Sequence, residues 1–460
     1  MIRRYAVTAL GALAAAGIGT HAHAAGFALG ENSAIESGEA DSGAAAAADD
    51  LSTVTTNPAG MTYFSGVNAM ATTHFIDPSG SFSLTGARTN IGPLPIPESG
   101  GAGPDPTRTA WVPSAYMVVA PAPDIRLGLG ASVPFGLTTN WASDSAARYQ
   151  AEVSKVESFD LNPSIAYKVA PWLSLGAGFS AQWTKVQLSN AIDFGTLVPL
   201  SLEQLGLIGP QQAAALLAAG SGRTINDGHA YVSGSSWEAG YDFGAIVEPM
   251  PGMRIGASYR SGIDHAISGL ANFTVPQQYA RLIAATGQFT NTNANATLNL
   301  PDNFMIGISD DVTPDLTLNL NYKWTGWSRF QQIAVGFGNP RQPGVIEPEN
   351  YQDTSTIAVG GSYKGFDPLT LRAGFAYDES PVQDQFRDLR LPDADRYWLT
   401  IGATYKLTPN IALSGSYQHL FFGDAGVNHS TTFVPGVVNT VTGSADTSAD
   451  LIAAEVSVSF

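Results

Sequence analysis

Fourteen segments of this chain alternate apolar and polar residues with a period of two. They start near Val67, Ser114, Ile125, Ser158, Trp172, Ser236, Met253, Ala296, Leu316, Gln352, Leu369, Asp395, Ile411 and Ala449. From Phe159 the odd positions are Phe159, Leu161, Pro163, Ile165, Tyr167 and Val169, and the even ones Asp160, Asn162, Ser164, Ala166 and Lys168. A strand sends successive side chains to opposite faces, so each segment has one apolar and one polar side. The connections alternate as well. Short ones such as Pro121-Ala122-Pro123 and Thr408-Pro409-Asn410 take turns with long ones, roughly 77–110, 136–157, 189–234, 268–294, 337–350, 379–394 and 423–448. Short turns on one side and long loops on the other are the asymmetry of bacterial outer-membrane barrels.

Composition agrees with that pattern. Only 13% of the residues are charged, yet mean hydropathy is near zero. After the N-terminal leader no charge-free apolar run reaches the roughly 18 residues a spanning helix needs, which excludes a helical membrane protein. A barrel strand meets lipid only with every second residue, so its average hydropathy stays bland. A closed barrel also pairs every backbone donor and acceptor, which an open sheet in lipid could not do. The expected class is an all-β membrane protein, a 14-stranded antiparallel transmembrane β-barrel in a Gram-negative outer membrane. Its last strand places Ile452, Ala454, Val456, Val458 and Phe460 on one face. A terminal aromatic after such alternation resembles the signal read by the barrel assembly machinery, and closure requires this strand to pair with the one near Val67.

The two ends divide the chain further. Residues 1–24 read as a signal peptide, with Arg3 and Arg4, an apolar run from Tyr5 to Gly19, and Ala22-His23-Ala24 as cleavage site. Residues 25–65 are rich in Gly, Ala, Ser and Asp and lack strand alternation. Two readings stand for them, a plug folded inside the lumen or a flexible periplasmic tail. Residues 66–460 make the barrel. The net charge of −17 argues against nucleic acid. With no cysteine there is no disulfide, thiol nucleophile or Cys-bound metal. No cofactor or metal site is expected.

Beyond the alternation, a series of short motifs runs along the chain. These are Ala25-Gly26-Phe27, Ala48-Asp49-Asp50 leading to Asn57-Pro58-Ala59, Ala110-Trp111-Val112-Pro113, Leu298-Asn299-Leu300-Pro301, Trp327-Ser328-Arg329-Phe330-Gln331-Gln332, Asp378-Glu379-Ser380-Pro381, and Pro392-Asp393-Ala394-Asp395-Arg396-Tyr397-Trp398. In this order they resemble the FadL-type outer-membrane transporters of long-chain fatty acids and related hydrophobic compounds. The resemblance implies a 14-stranded barrel plugged by an N-terminal hatch. It also implies a kinked third strand that opens the wall sideways, so that ligand leaves into the bilayer.

Individual residues can be set against that expectation. The third strand meets Pro134 and Gly136. Proline lacks the donor a ladder needs, so the strand either breaks there or has ended. The resemblance places Asn57, Pro58 and Ala59 where the hatch meets this gap, together forming a lateral gate. Phe27 is expected against the ligand. Alternation points Arg254, Arg260 and Lys323 into the lumen, with Lys185 and Arg329 as further candidates; each could hold a ligand carboxylate or simply pair with lumen acids. Asn190 falls near where the fatty-acid members carry an Arg, which keeps a neutral cargo such as an aromatic hydrocarbon open. Among the outer loops, Leu202, Leu205, Ile208 and Leu216, and then Tyr279, Leu282 and Ile283, fit two short amphipathic helices. These either form an apolar capture groove, as the resemblance implies, or bury each other as a lid. The acidic stretch Asp378 to Asp395 reads as a solvated loop, with a divalent ion or lipopolysaccharide as other options.

The function expected is passive uptake of long-chain fatty acids or related compounds by a monomer, through groove, lumen pocket and lateral exit. A channel for neutral aromatic hydrocarbons is the alternative. A general porin and an outer-membrane lipase are competing classes. For the lipase the chain has no Gly-x-Ser-x-Gly elbow, and only the neighbouring His429-Ser430 pair invites the reading.

Overall fold

The computed structural model describes residues 26–460; the expected signal peptide lies outside them. Among the described residues no helix is long and apolar enough to cross a membrane. Strands β1 Val67–Ile91, β2 Ala110–Ala122, β3 (Ile125–Ser132 and Gly136–Asn140), β4 Val153–Ala170 and β5 Leu173–Asp193 lead into β6 Asp227–Met250. Then come β7 (Met253–Arg260 and Ile263–Thr274), β8 (Thr292–Leu300 and Asn303–Asp311), β9 (Leu316–Thr325 and Gln332–Phe337) and β10 Thr354–Phe366. The chain finishes with β11 Leu369–Asp378, β12 Arg396–Thr408, β13 (Ile411–Phe422, continued by Ala425–Val434) and β14 Val437–Ser459. All pairings are antiparallel between sequence neighbours, and β14 closes on β1 from Asn68↔Ser459 to Ile91↔Val437. The fourteen-stranded closed barrel expected from the alternation is therefore present.

Its packing is the reverse of a soluble core. In β4, Phe159, Leu161, Ile165, Tyr167 and Val169 are exposed outward, whereas Asp160, Asn162, Ser164 and Ala166 are buried inward. In β9, Thr317, Asn319 and Asn321 take the inner face. Lipid solvates the apolar rings, and the polar row finds partners inside. The Arg260 guanidinium, for example, donates to Asp160 at 2.6 Å and to the Ser180 hydroxyl at 2.7 Å.

Two outer regions differ from their sequence reading. β1 runs 25 residues, about 80 Å at the usual rise, and β14 starts at Val437 rather than near Ala449. These strands and the hairpin 425–459 carry the wall well past a membrane band of about 25 Å. Their outer halves are rich in Ser, Thr and Gly, and so show no apolar alternation to read. The stretch 379–395 is not a solvated loop. Val382, Arg387, Leu389, Asp393 and Asp395 are buried, Leu389 and Trp141 share an apolar cluster, and Trp141 Nε1 donates to the Leu389 carbonyl at 2.8 Å. Among the described residues no His, Cys, Asp and Glu group is arranged to hold a metal.

Residues 26–64 carry two short helices, Ala34–Gly38 and Thr53–Thr56, and a 3-10 turn Pro58–Tyr63. Their partners come from all round the ring. Ala34 N donates to Glu455 in β14 at 2.9 Å, Gln418 in β13 donates to the Ser37 carbonyl at 2.8 Å, and Ser37 bonds His74 in β1 at 2.9 Å. Glu39 pairs with Arg372 in β11 at 3.1 Å and accepts from Asn319 in β9 at 2.5 Å. Close approach to the wall depends on glycine: a Cβ on Gly256 would lie 1.8 Å from the Ala45 carbonyl oxygen, and one on Gly244 2.0 Å from Asn57 Oδ1. Gly256→Leu should therefore unseat residues 45–57 and raise single-channel conductance of the assembled barrel. Conductance equal to the wild type's would show that this contact does not hold the segment.

Candidate functional site

Between Ser132 and Gly136 the third strand leaves the ladder. Its pairing with β2 ends at Ala115↔Ala131, so residues 110–114 of β2 have no neighbour on that side within the wall. Val133-Pro134-Phe135 turns out of register because Pro134 cannot donate. The freed groups are met by two sources. The Ser158 hydroxyl accepts from Phe135 N at 2.8 Å and lies 2.7 Å from the Phe135 carbonyl, to which it donates. The N-terminal segment then adds a short strand: Leu29 N donates to the Pro134 carbonyl at 2.9 Å, Gly136 N to the Phe27 carbonyl at 3.1 Å, and Ala28 pairs antiparallel with Phe135.

The segment meeting the break is thus Phe27 to Leu29. Asn57, Pro58 and Ala59, expected there, sit on another part of the wall. Asn57 Nδ2 reaches the carbonyls of Ala45 at 2.6 Å and of Ala245 in β6 and Ala257 in β7 at 3.3 Å each, and its Oδ1 accepts from Ala59 N at 3.2 Å. The difference is physical: the amide serves carbonyls where glycines admit the turn, whereas the break needs an extended backbone, which a Pro-initiated 3-10 turn cannot supply.

Phe27 anchors an aromatic cluster. Its ring centroid lies 4.9 Å from that of Trp327, 5.7 Å from Phe330 and 6.0 Å from Phe135, with Tyr351 packed on Trp327 and Phe330. Trp327 and Phe330 turn inward because β9 is interrupted after Thr325. The interruptions of β7 at 261–262 and β8 at 301–302 leave Leu300 in the same cluster. Sequence reasoning missed these breaks, although Gly262, Pro301 and Gly326 are strand-breaking residues and could have marked them. At the chain's described start, Gly26 N donates to Asp393 at 2.9 Å, and Ser380 donates to the same carboxyl at 3.0 Å. Burial pushes Asp393 up to about 6 against the opposing Arg396.

A cavity of about 840 Å³ runs from this cluster to the break, lined by Phe27, Trp111, Val112, Pro134, Gly136, Arg260, Leu300, Lys323 and Trp327, among others. Arg260 is held by Asp160, and Lys323 makes no ion pair among the described residues. Arg254 lies elsewhere, stacked over Tyr63 with 5.2 Å to the ring centroid, and Arg329 pairs with Asp264 at 2.8 Å. Lys185 lies in β5 opposite Ser235, outside the cavity lining. Asn190 donates to the Ala191 carbonyl at 2.9 Å.

The outer loops hold α-helices α1 Phe194–Gln204, α2 Pro210–Gly220 and α3 Ala280–Thr286. Ile283, Tyr279 and Leu202 pack with Phe194, Val198 and Phe289, while Leu205, Leu216 and Leu282 are exposed and Ile208 is partly so. Beneath them Arg148 ties three loops, donating to Asp227 at 2.6 Å and to the Ser99 and Gly222 carbonyls at 2.7 and 2.9 Å. His429 bonds Glu347 at 2.8 Å and Ser430 bonds Thr440 at 2.8 Å, so these neighbours do not form a nucleophile and base.

A closed barrel with an internal chamber and lipid-facing walls defines a membrane transport protein of the outer-membrane type. Residues 15–460 match the family described as outer membrane protein transport protein (OMPP1/FadL/TodX), and the chain belongs to that family. It is a transport protein and not an enzyme. The long-chain fatty acid transport protein of Escherichia coli K12 is 31% identical over 423 residues, covering 89% of this chain and 91% of the relative. Outer membrane protein P1 of Haemophilus influenzae is 30% identical over 408 residues, covering 87% and 86%. Among solved structures, a Pseudomonas aeruginosa FadL homologue superposes with a TM-score of 0.83 at 24% identity, covering 95% of this chain and all of the other. The Ralstonia pickettii toluene transporter TbuX gives 0.63 at 19% identity, covering 92% and 97%. These two likenesses support the fold.

Ser158 carries the clearest local test. Ser158→Ala leaves Phe135 N and O unpaired, at a cost of about 1–3 kcal/mol or more for each group. Amide exchange over 133–137 should accelerate in the assembled barrel; unchanged protection would mean another group satisfies the break.

Proposed function

We propose that this protein carries long-chain fatty acids or related hydrophobic compounds across the outer membrane without energy coupling. Ligand is captured by the apolar outer surface around Leu202, Leu205, Ile208, Leu216, Tyr279, Leu282 and Ile283, where burying apolar chain gains about 0.8 kcal/mol per CH₂. It passes to the chamber beside Phe27 and leaves through the wall between Trp111-Val112 and Pro134-Gly136. Residues 25–65 act as the hatch that keeps the lumen closed to the periplasm, and the chain works as a monomer among outer-membrane lipid and lipopolysaccharide after assembly through its terminal strand. The observation that supports this reading best is the cavity's reach from the Phe27 cluster to a lapse in strand pairing. An exit to the bilayer suits an apolar cargo, for which water is the poorer solvent.

A neutral aromatic hydrocarbon is the second cargo reading, favoured by the commitment of Arg260 to Asp160. Growth or uptake on long-chain fatty acid and on toluene, in a strain lacking the protein, separates the two cargoes. Large, steady single-channel conductance from the wild type would instead favour a porin.

The exit has its own test. Pro134→Thr, which lets the third strand run straight, and deletion of residues 57–59, which loosens the hatch, should each reduce uptake several-fold without reducing the amount of assembled barrel. Full uptake by both would rule out the lateral route.

A further inference from the structure

Phe27, Leu137, Lys155, Val156 and Leu391 also line a second, smaller pocket of about 70 Å³ branching from the main chamber. Most of its wall is apolar, from Val186, Leu188, Ile267, Leu298 and Phe330, but Arg390, Asp388 and Glu349 also line it and lie close to one another. An apolar pocket with one polar cluster is complementary to an amphiphile rather than to a plain hydrocarbon. We infer that Arg390 is the head-group residue of this chain, receiving the carboxylate of an amphiphilic monocarboxylic acid whose tail lies along Val186, Ile267 and Leu298 towards Phe27. The inference rests on the transport reading above and deepens it.

Arg390 is suited to the part in a way the other cations are not. Its side chain is 17% exposed, and of its five N–H donors two are engaged, on the Gln150 carbonyl at 2.7 Å and the Ser154 hydroxyl at 3.2 Å. Asp388 forms an ion pair with Arg390 at 3.8 Å from Nε, too long for a hydrogen bond, while its Oδ1 accepts from the backbone N–H groups of Arg390 and Leu391 at 2.9 and 3.2 Å. The remaining donors of the guanidinium stay free to grip a carboxylate in fork geometry. Lys155, the other cation of the pocket, is spent on Glu157 at 2.7 Å. Lys323 lines only the main chamber, facing the carboxyls of Glu31 and Asp41.

Two acids in the same cluster at first oppose an anionic ligand. Glu349 is buried, and its carboxyl accepts no hydrogen bond from a described residue. Burial and then the nearby Asp388 hold it well above the usual carboxylate range. A carboxyl held up in this way sets less negative charge against a ligand carboxylate at Arg390 than an exposed one would.

The test compares palmitate with hexadecanol, equal in tail and different in charge, by equilibrium dialysis against the purified full chain in detergent. Arg390→Gln should weaken palmitate binding by about tenfold or more while hexadecanol stays within about twofold, as expected for losing a charged hydrogen bond. Arg390→Lys, which keeps the charge and loses the fork, should fall in between for palmitate alone. It decides the matter if the Gln variant fails to assemble. Equal losses for both ligands, or none for palmitate, would overturn the assignment. Wild-type protein that binds neither ligand would overturn the hydrophobic-cargo reading itself.

Discussion

Within hydrocarbon a backbone N–H or C=O that leaves its ladder has no water to turn to, and each unpaired group costs several kcal/mol. A barrel can therefore break a strand only where something inside repairs the break. Here the repair is divided between one side chain, Ser158, and a borrowed strand, Phe27 to Leu29. One is fixed in the wall. The other belongs to residues 26–64, which lie inside the barrel and outside its ladder.

The position of that segment follows from the inverted packing of the barrel. Inward polar side chains such as Glu455, Asn319, Gln418 and His74 need partners, and residues 26–64 supply them through the Glu39 carboxyl, the Ser37 hydroxyl and the backbone of Ala34 and Ser37. Small residues and wall glycines bring the two backbones together, and apolar contacts such as Leu51, Val54 and Met61 against Met70, Tyr116 and Val118 add to the polar ones. The aromatic cluster is the part of this packing that lies at the break. Phe27, Trp327, Phe330 and Tyr351 form an apolar island beside the break, where the chamber and its side pocket meet.

The membrane portion was legible because lipid enforces strict alternation: Phe159 to Val169 and Leu316 to Trp324 declare their faces. The third-strand interruption was legible at Pro134 for the same reason, since proline has no donor to give. Less could be read where two constraints acted at once. Asp393 and Leu389 lie in a stretch whose charge suggests solvent, yet burial of Leu389 against Trp141 draws it into the mouth of the barrel. Arg390 comes with it, and nothing in local sequence separates a half-buried cation from a solvated one. Asn57 looked like a gate residue because its neighbours resemble the family pattern; its partners are set by distant carbonyls in β6 and β7 that no spacing rule could locate.

If passage depends on release of the borrowed strand, locking that strand should stop it. Ala28 and Phe135 form a non-hydrogen-bonded antiparallel pair, whose Cα separation of about 4.5 Å suits a disulfide, and the chain has no native cysteine to compete. Uptake of labelled palmitate by cells carrying the Ala28→Cys, Phe135→Cys pair tests this directly. Uptake should be lost on oxidation and restored by reductant, whereas equal uptake by the oxidised and reduced protein would contradict the account.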